Sequence, residues 1–157
     1  RVYLIEEPLA AALGAGLEVV EVQQTSDVTY RIYDWDRVDA EGKGRELHTS
    51  LAVDAIDFEA DAELLHRTYE LKKGGEAKVI DCNYFTMTLH DVAGRKELER
   101  SALDSFVVLI ALNGSVRIIA DNQEEMLSEG EVILIPAEVN DITIEGDAKL
   151  MEVYINR

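Results

Sequence analysis

Residues 106–122, FVVLIALNGSVRIIADN, carry the reading that decides the fold. Phe106–Asn113 and Ser115–Ala120 are apolar, β-branched runs of strand length, and the Asn113-Gly114 dipeptide between them is a turn signal. Asp121-Asn122 reads as the turn that ends the second run. Two short strands joined by a turn are the expectation for this segment.

The same grammar runs outward in both directions. Leu64–Leu71, Ala77–Cys82, Phe85–Asp91, Glu131–Ile135, Asp141–Ile144 and Lys149–Ile155 read as further strands. Turn signals separate them at Lys73-Gly74-Gly75, Ser128-Glu129-Gly130 and Glu145-Gly146-Asp147. Acidic runs such as Glu59–Glu63 and Gln123–Glu125 read as solvated faces or turns. Many short strands at this spacing predict an all-β chain, a jelly roll or β-sandwich.

Upstream the pattern changes. Glu6-Glu7-Pro8 has the acids and the proline of a helix start, and Leu9–Leu13 is an Ala-rich run ended by Gly14-Ala15-Gly16. A short N-terminal helix is expected there. Leu17–Val22 is apolar and β-branched, residues 38–45 form a polar loop, and Leu47–Phe58 holds two short apolar runs broken by acids. Residues 57–65 read as a short acidic turn of helix or a linker, the preferred place for a boundary.

Composition narrows the function classes. With 32 acidic against 15 basic residues in 157, the formal charge is −17, which repels nucleic acid and anionic membrane surfaces. At 47% hydrophobic the chain can bury one core, and one domain with a smaller appended unit is expected. Cys82 is the single cysteine, so no intrachain disulfide forms and a reduced, cytoplasmic setting is expected. No apolar run reaches membrane-spanning length and no basic-then-apolar leader opens the sequence, so a soluble protein is expected.

Residues 23–37, QQTSDVTYRIYDWDR, hold the chemistry. Val28, Tyr30 and Ile32 alternate with Thr29, Arg31 and Tyr33, the period of a strand with two differently used faces, and the Asp34-Trp35-Asp36 run reads as its exit loop. Arg31 beside carboxylates is a candidate for binding a polar ligand. It is equally placed to pair with Asp34 or Asp36 and order the loop. Trp35, the single tryptophan, reads as a hydrophobic anchor.

Two blocks then point to a family. GEVILIPAEVND, residues 130–141, resembles the second motif of cupins, with Asn140 or Asp141 standing where metal-binding cupins carry a histidine. The block at 23–37, followed by RELHTSLAVDAIDF at 45–58, resembles type I mannose-6-phosphate isomerases of the two-cupin kind. That resemblance extends over roughly residues 14–157. It implies a cupin-like jelly roll and an aldose–ketose isomerase that moves a proton between C1 and C2 of a sugar phosphate through an enediol, helped by zinc in the first cupin. It also implies Arg31 as a catalytic residue, with Gln23, Ser26 and Asp27 binding substrate at the mouth of the cavity. RVYLIEEPLAAALGAGL, residues 1–17, resembles instead a segment of actin-like rod-shape proteins.

The zinc ligands of the family have no counterpart in the matching positions, and the expectation is a chain without a metal or other cofactor. His48, His66 and His90 read as structural, the latter two as strand residues facing solvent or satisfied by a neighbour, and Cys82 reads as a small buried apolar residue. The domain expectation is a segment at 1–17, a remnant of the first cupin at 18–60 and a C-terminal cupin-like domain at 61–157. Missing strand partners for residues 18–58 lead to the expectation of a homodimer or other homo-oligomer. The functional expectation is a mannose-6-phosphate isomerase family protein, incomplete and inactive as this chain alone. The alternative is a metal-free cupin-like module that self-associates or binds sugar.

Overall fold

A computed structural model describes residues 2–3, 16, 19–23, 28–59, 61 and 65–155. The elements in chain order are β1 (Val2–Tyr3), α1 (Thr49–Ala55), β2 (His66–Arg67), β3 (Glu76–Asp81), β4 (Thr86–Glu99), β5 (Val107–Ala120), β6 (Gln123–Ser128), β7 (Val132–Ile135) and β8 (Asp141–Tyr154). Two compact units divide the chain, one spanning Tyr3–Leu65 and one made of His66–Arg157 with Arg1–Val2, called here the His66–Arg157 unit.

The His66–Arg157 unit is built on one antiparallel six-stranded sheet in the order β3-β4-β8-β5-β6, with β7 paired to β5. β4 and β8 pair from Thr86↔Tyr154 to Glu99↔Asp141 without a shift in register. The first half of β5 pairs with β7 and the second half with β6, while β8 runs along its other edge. Alternation sets which side is buried. Ile142, Ile144, Ala148 and Leu150 on β8 point to one face, as do Leu109, Ala111, Val116 and Ile118 on β5. Leu109, Ile144 and Leu150 on that face are fully buried, which a flat sheet cannot achieve, so the sheet folds over to cover its own core. This is the all-β, jelly-roll-like architecture expected from the strand spacing.

Glycines explain the principal differences from the expected strand boundaries. Asn113-Gly114 makes no turn: β5 runs straight through it with a register irregularity between Ala111 and Asn113. There the Asn113 side chain accepts the Lys149 backbone N–H at 2.8 Å, supplying a ladder bond that the bulge removes. A Cβ on Gly114 would stand 2.2 Å from the Asp147 carbonyl oxygen, and one on Gly146 would stand 2.6 Å from that of Ser115. These glycines let β5 and β8 approach closely where a side chain has no room. Glu145-Gly146-Asp147 therefore lies inside β8, and β4 likewise continues past Asp91 to Glu99.

Asp121-Asn122 does turn, with φ of 45° and 60°, and closes a two-residue hairpin between Ala120 and Gln123. Its second strand is β6, whose first residues, Gln123–Glu125, are the solvated face or turn expected from sequence; only Leu127 of that strand is buried. Leu64–Leu71 contributes just the two residues of β2.

In the Tyr3–Leu65 unit, α1 occupies a stretch expected to be non-helical. It has no side-chain cap, and it buries Ala52 while leaving Leu51 and Val53 exposed, so neither a cap nor an apolar stripe announced it. The N-terminal helix expected before Gly14 lies outside the described residues.

Candidate functional site

Arg31 sits in a non-strand segment and is half-buried. Its backbone is locked to His48 from both sides: Arg31 N–H donates to His48 Nδ1 at 3.1 Å, and His48 N–H donates to the Arg31 carbonyl at 2.7 Å. Because Nδ1 accepts, the His48 ring proton lies on Nε2. The guanidinium Nη1 donates to the Glu46 carbonyl at 3.2 Å, and no other hydrogen bond holds the guanidinium among the described residues.

The expected pairing of Arg31 with Asp34 or Asp36 does not form. Asp34 binds Arg45, which donates Nε at 2.7 Å and Nη2 to the second carboxylate oxygen. Those hydrogen bonds hold the Asp34 carboxyl below its usual range, with the charges of Arg45, Arg31 and Arg37 adding to the effect. Asp36 accepts the Tyr33 hydroxyl at 3.2 Å. Trp35 is 55% exposed and meets Tyr33 edge-on at 5.3 Å, so it anchors to one neighbouring ring and to no core. Gln23 is exposed, and no described hydrogen bond joins it to Arg31. Ser26 and Asp27 lie outside the described residues.

The His66–Arg157 unit holds a second polar constellation. Its strands turn from apolar to polar along a single inward face: Ile144, Ala148 and Leu150 give way to Glu152 on β8, and Val92 gives way to His90, Thr88 and Thr86 on β4. His90 and Glu152 are fully buried, and His90 Nε2 donates to Glu152 Oε2 at 2.8 Å. Arg100, in the loop after β4, donates Nε to Glu152 Oε1 at 2.7 Å and Nη2 to Oε2 at 2.9 Å. Burial alone would raise the Glu152 carboxyl, but the hydrogen bonds from His90 and Arg100 and the Arg100 charge outweigh it and hold it at about 2.

On the other side of the ring, Glu76 Oε2 stands 3.3 Å from His90 Nδ1 and 3.2 Å from Lys96 Nζ. The Glu76 carboxylate is within ion-pair reach of Nδ1 but out of line for a hydrogen bond, so this buried nitrogen lacks one. Lys96, Glu76, His90, Glu152 and Arg100 thus form a run of neighbouring charges and imidazole that passes from the exposed Glu76 through the buried His90 and Glu152 to Arg100.

A metal does not fit these groups. Among the described residues, no three His, Cys, Asp or Glu side chains converge as metal ligands. His90 directs its two nitrogens at different carboxylates, and Glu152 is closed off by Arg100. Asn140 and Asp141 are exposed at the start of β8, His66 is exposed, and Cys82 hydrogen-bonds the Phe85 carbonyl at 3.3 Å. His90 was read from sequence as a strand residue facing solvent or satisfied by a neighbour, and the neighbour is Glu152.

The folded-over antiparallel sheet with a polar pocket in one end of its interior defines a cupin-type domain. A family model described as the cupin domain of mannose-6-phosphate isomerase matches residues 75–155. The chain belongs to the mannose-6-phosphate isomerase family. It is 31% identical over 146 residues to the mannose-6-phosphate isomerase ManA of Bacillus subtilis, matching 92% of this chain and 45% of that protein. With a mannose-6-phosphate isomerase of Streptococcus mutans it shares 26% identity, again over 92% of this chain and 45% of the relative. The chain thus spans about half the length of the curated relatives it matches. The crystal structure of the mannose 6-phosphate isomerase from Bacillus subtilis superimposes with a TM-score of 0.67 at 29% identity, covering 82% of this chain and 40% of that one. A phosphomannose isomerase mutant from Salmonella typhimurium shares the fold, with a TM-score of 0.58 at 24% identity over 73% of this chain and 30% of that one.

Proposed function

We propose that this chain serves the interconversion of mannose 6-phosphate and fructose 6-phosphate, with Arg31 as the residue that meets the sugar phosphate. Membership of the isomerase family is the observation that carries the reading. The chemistry needs a base for the C2 proton and an electrophile to hold O1 and O2 as negative charge develops on the enediolate. Arg31 suits the second role: its backbone is fixed by His48, and Nε and Nη2 are not engaged by hydrogen bonds among the described residues. Gln23, Ser26 and Asp27 are assigned to substrate binding beside it. No three His, Cys, Asp or Glu side chains converge as a metal site among the described residues, and the chain assayed alone is expected to be inactive.

A full-length isomerase that includes this chain is the material for the test. Arg31→Ala is expected to lower its kcat roughly 100- to 1,000-fold with unchanged thermal stability. Unchanged turnover would remove Arg31 from the mechanism.

A second reading, a metal-free cupin module, is favoured by the way Arg100 and His90 close Glu152. Stoichiometric zinc bound by the chain alone, together with turnover, would overturn it. Self-association with a second copy belongs to either reading and rests on the exposed apolar side chains of the Tyr3–Leu65 unit, among them Val28, Tyr30, Ile32, Val38, Leu51 and Phe58. Light scattering showing a monomer at high concentration would contradict it.

A further inference from the structure

Glu76, Glu152 and Arg100 also line an open cleft that the isomerase reading does not use. Its volume is about 360 Å³, within the range of small-molecule sites of roughly 300–1,000 Å³. Glu76, Lys78, Thr88, Arg100, Glu152 and Tyr154 supply its polar lining, while Ala102 and Leu103 give it an apolar side. Register explains the convergence. Lys78 on β3 pairs with Thr88 on β4, and Thr88 pairs with Glu152 on β8, which sets three polar side chains in one row across the inward face. The same face carries Leu150 and Ile144 further along, so the polarity is confined to one end of the fold.

We propose that this cavity binds a neutral, polyhydroxylated ligand of monosaccharide size. The charges exclude an anion as the better occupant. Each cation at the site already sits on a carboxylate: Arg100 on Glu152 at 2.7 Å, Lys78 on Asp81 at 2.6 Å and Lys96 on Glu76 at 3.2 Å. Glu99 adds a further carboxylate to the lining, so a phosphate would meet a net negative wall. A purely apolar ligand would strand the buried polar groups.

The groups left to bind are neutral or acceptors. No hydrogen bond engages the hydroxyls of Thr88 or Tyr154 among the described residues, and Thr88 is only 9% exposed. Sugar hydroxyls both donate and accept, so they satisfy carboxylate oxygens and protein hydroxyls together, while the Tyr154 ring and Leu103 meet the C–H faces. A buried polar network with open hydrogen-bonding capacity beside a cavity of this size is the setting in which such a ligand binds.

The test is an amide NMR titration of the intact chain with glucitol and with mannose, neither of which carries phosphate. Saturable shifts are expected at Lys78, Thr88, Arg100 to Leu103 and Glu152, with a dissociation constant in the millimolar range. Mannose 6-phosphate should bind there no more tightly, and inorganic phosphate should not compete. Thr88→Val with Tyr154→Phe removes two hydroxyls and little volume, and should weaken binding at least about tenfold. If that double variant loses its dispersed spectrum, Tyr154→Phe alone serves, with a smaller loss expected. No saturable shift in this row, a requirement for phosphate, or undiminished binding by the folded variant would each overturn the proposal. Shifts confined to residues 28–48 would overturn it while leaving the isomerase reading intact, and loss of the role of Arg31 in turnover would leave this site untouched.

Discussion

Each unit holds an arginine that grips both oxygens of one carboxylate through Nε and Nη2, in different surroundings. Arg100 and Glu152 have side chains 22% and 1% exposed, whereas Arg45 and Asp34 in the other pair are 53% and 12% exposed. Glu152 must hold its charge without solvent, and it does so by taking a third hydrogen bond from His90. Asp34 and Arg45 order a surface turn that water would also satisfy. Similar geometry therefore means different things: in the sheet the pair sets what the interior can tolerate, and in the loop it shapes the surroundings of Arg31.

The largest effect should come from removing one buried partner. Glu152→Ala strands Arg100 and His90 and is expected to cost about 3–5 kcal/mol in denaturant unfolding. A loss below about 1 kcal/mol would mean that water already fills the pocket well enough to replace the carboxylate.

Acid offers the next way to sharpen the contrast. The Glu152 carboxyl titrates at about 2 in the folded chain against an ordinary value of 4.5. The unfolded chain thus takes up the proton first as pH falls. The stabilisation, about 3 kcal/mol, is fully present above the ordinary value and is lost as pH falls from there through about 2. Denaturation midpoints measured across that window should drop in the parent protein, with this contribution missing in Glu152→Gln.

A third expected effect belongs to the backbone. Gly114→Ala drives a methyl against the Asp147 carbonyl in a left-handed conformation and should cost about 1–3 kcal/mol, read as a lower melting temperature. Smallest of all, Asp34→Ala should leave the unfolding midpoint of the sheet unit unmoved.

These contrasts also mark what the sequence could disclose. The strands were legible because alternation is local, and the Asp121-Asn122 turn because its residues tolerate positive φ. Asn113-Gly114 and Glu145-Gly146 misled because glycine serves tight turns and close strand approach alike. The family was legible in the block around Arg31, although the strand expected there did not form. The interior network was missed: His90 and Glu152 are 62 residues apart, and neither has a local signal that names its partner. One clue was present. Glu152 is a lone charge at an inward position of the apolar run Leu150–Tyr154, where only a buried partner makes it tolerable.

The most direct measurement is a pair of double-mutant cycles by denaturant unfolding, Arg100→Ala with Glu152→Ala and Arg45→Ala with Asp34→Ala. A coupling of about 1.5–3 kcal/mol is expected for Arg100 with Glu152, and none measurable for Arg45 with Asp34. Equal couplings, or a larger one in the surface pair, would contradict the assignment of the buried network as the ionic support of the cupin interior.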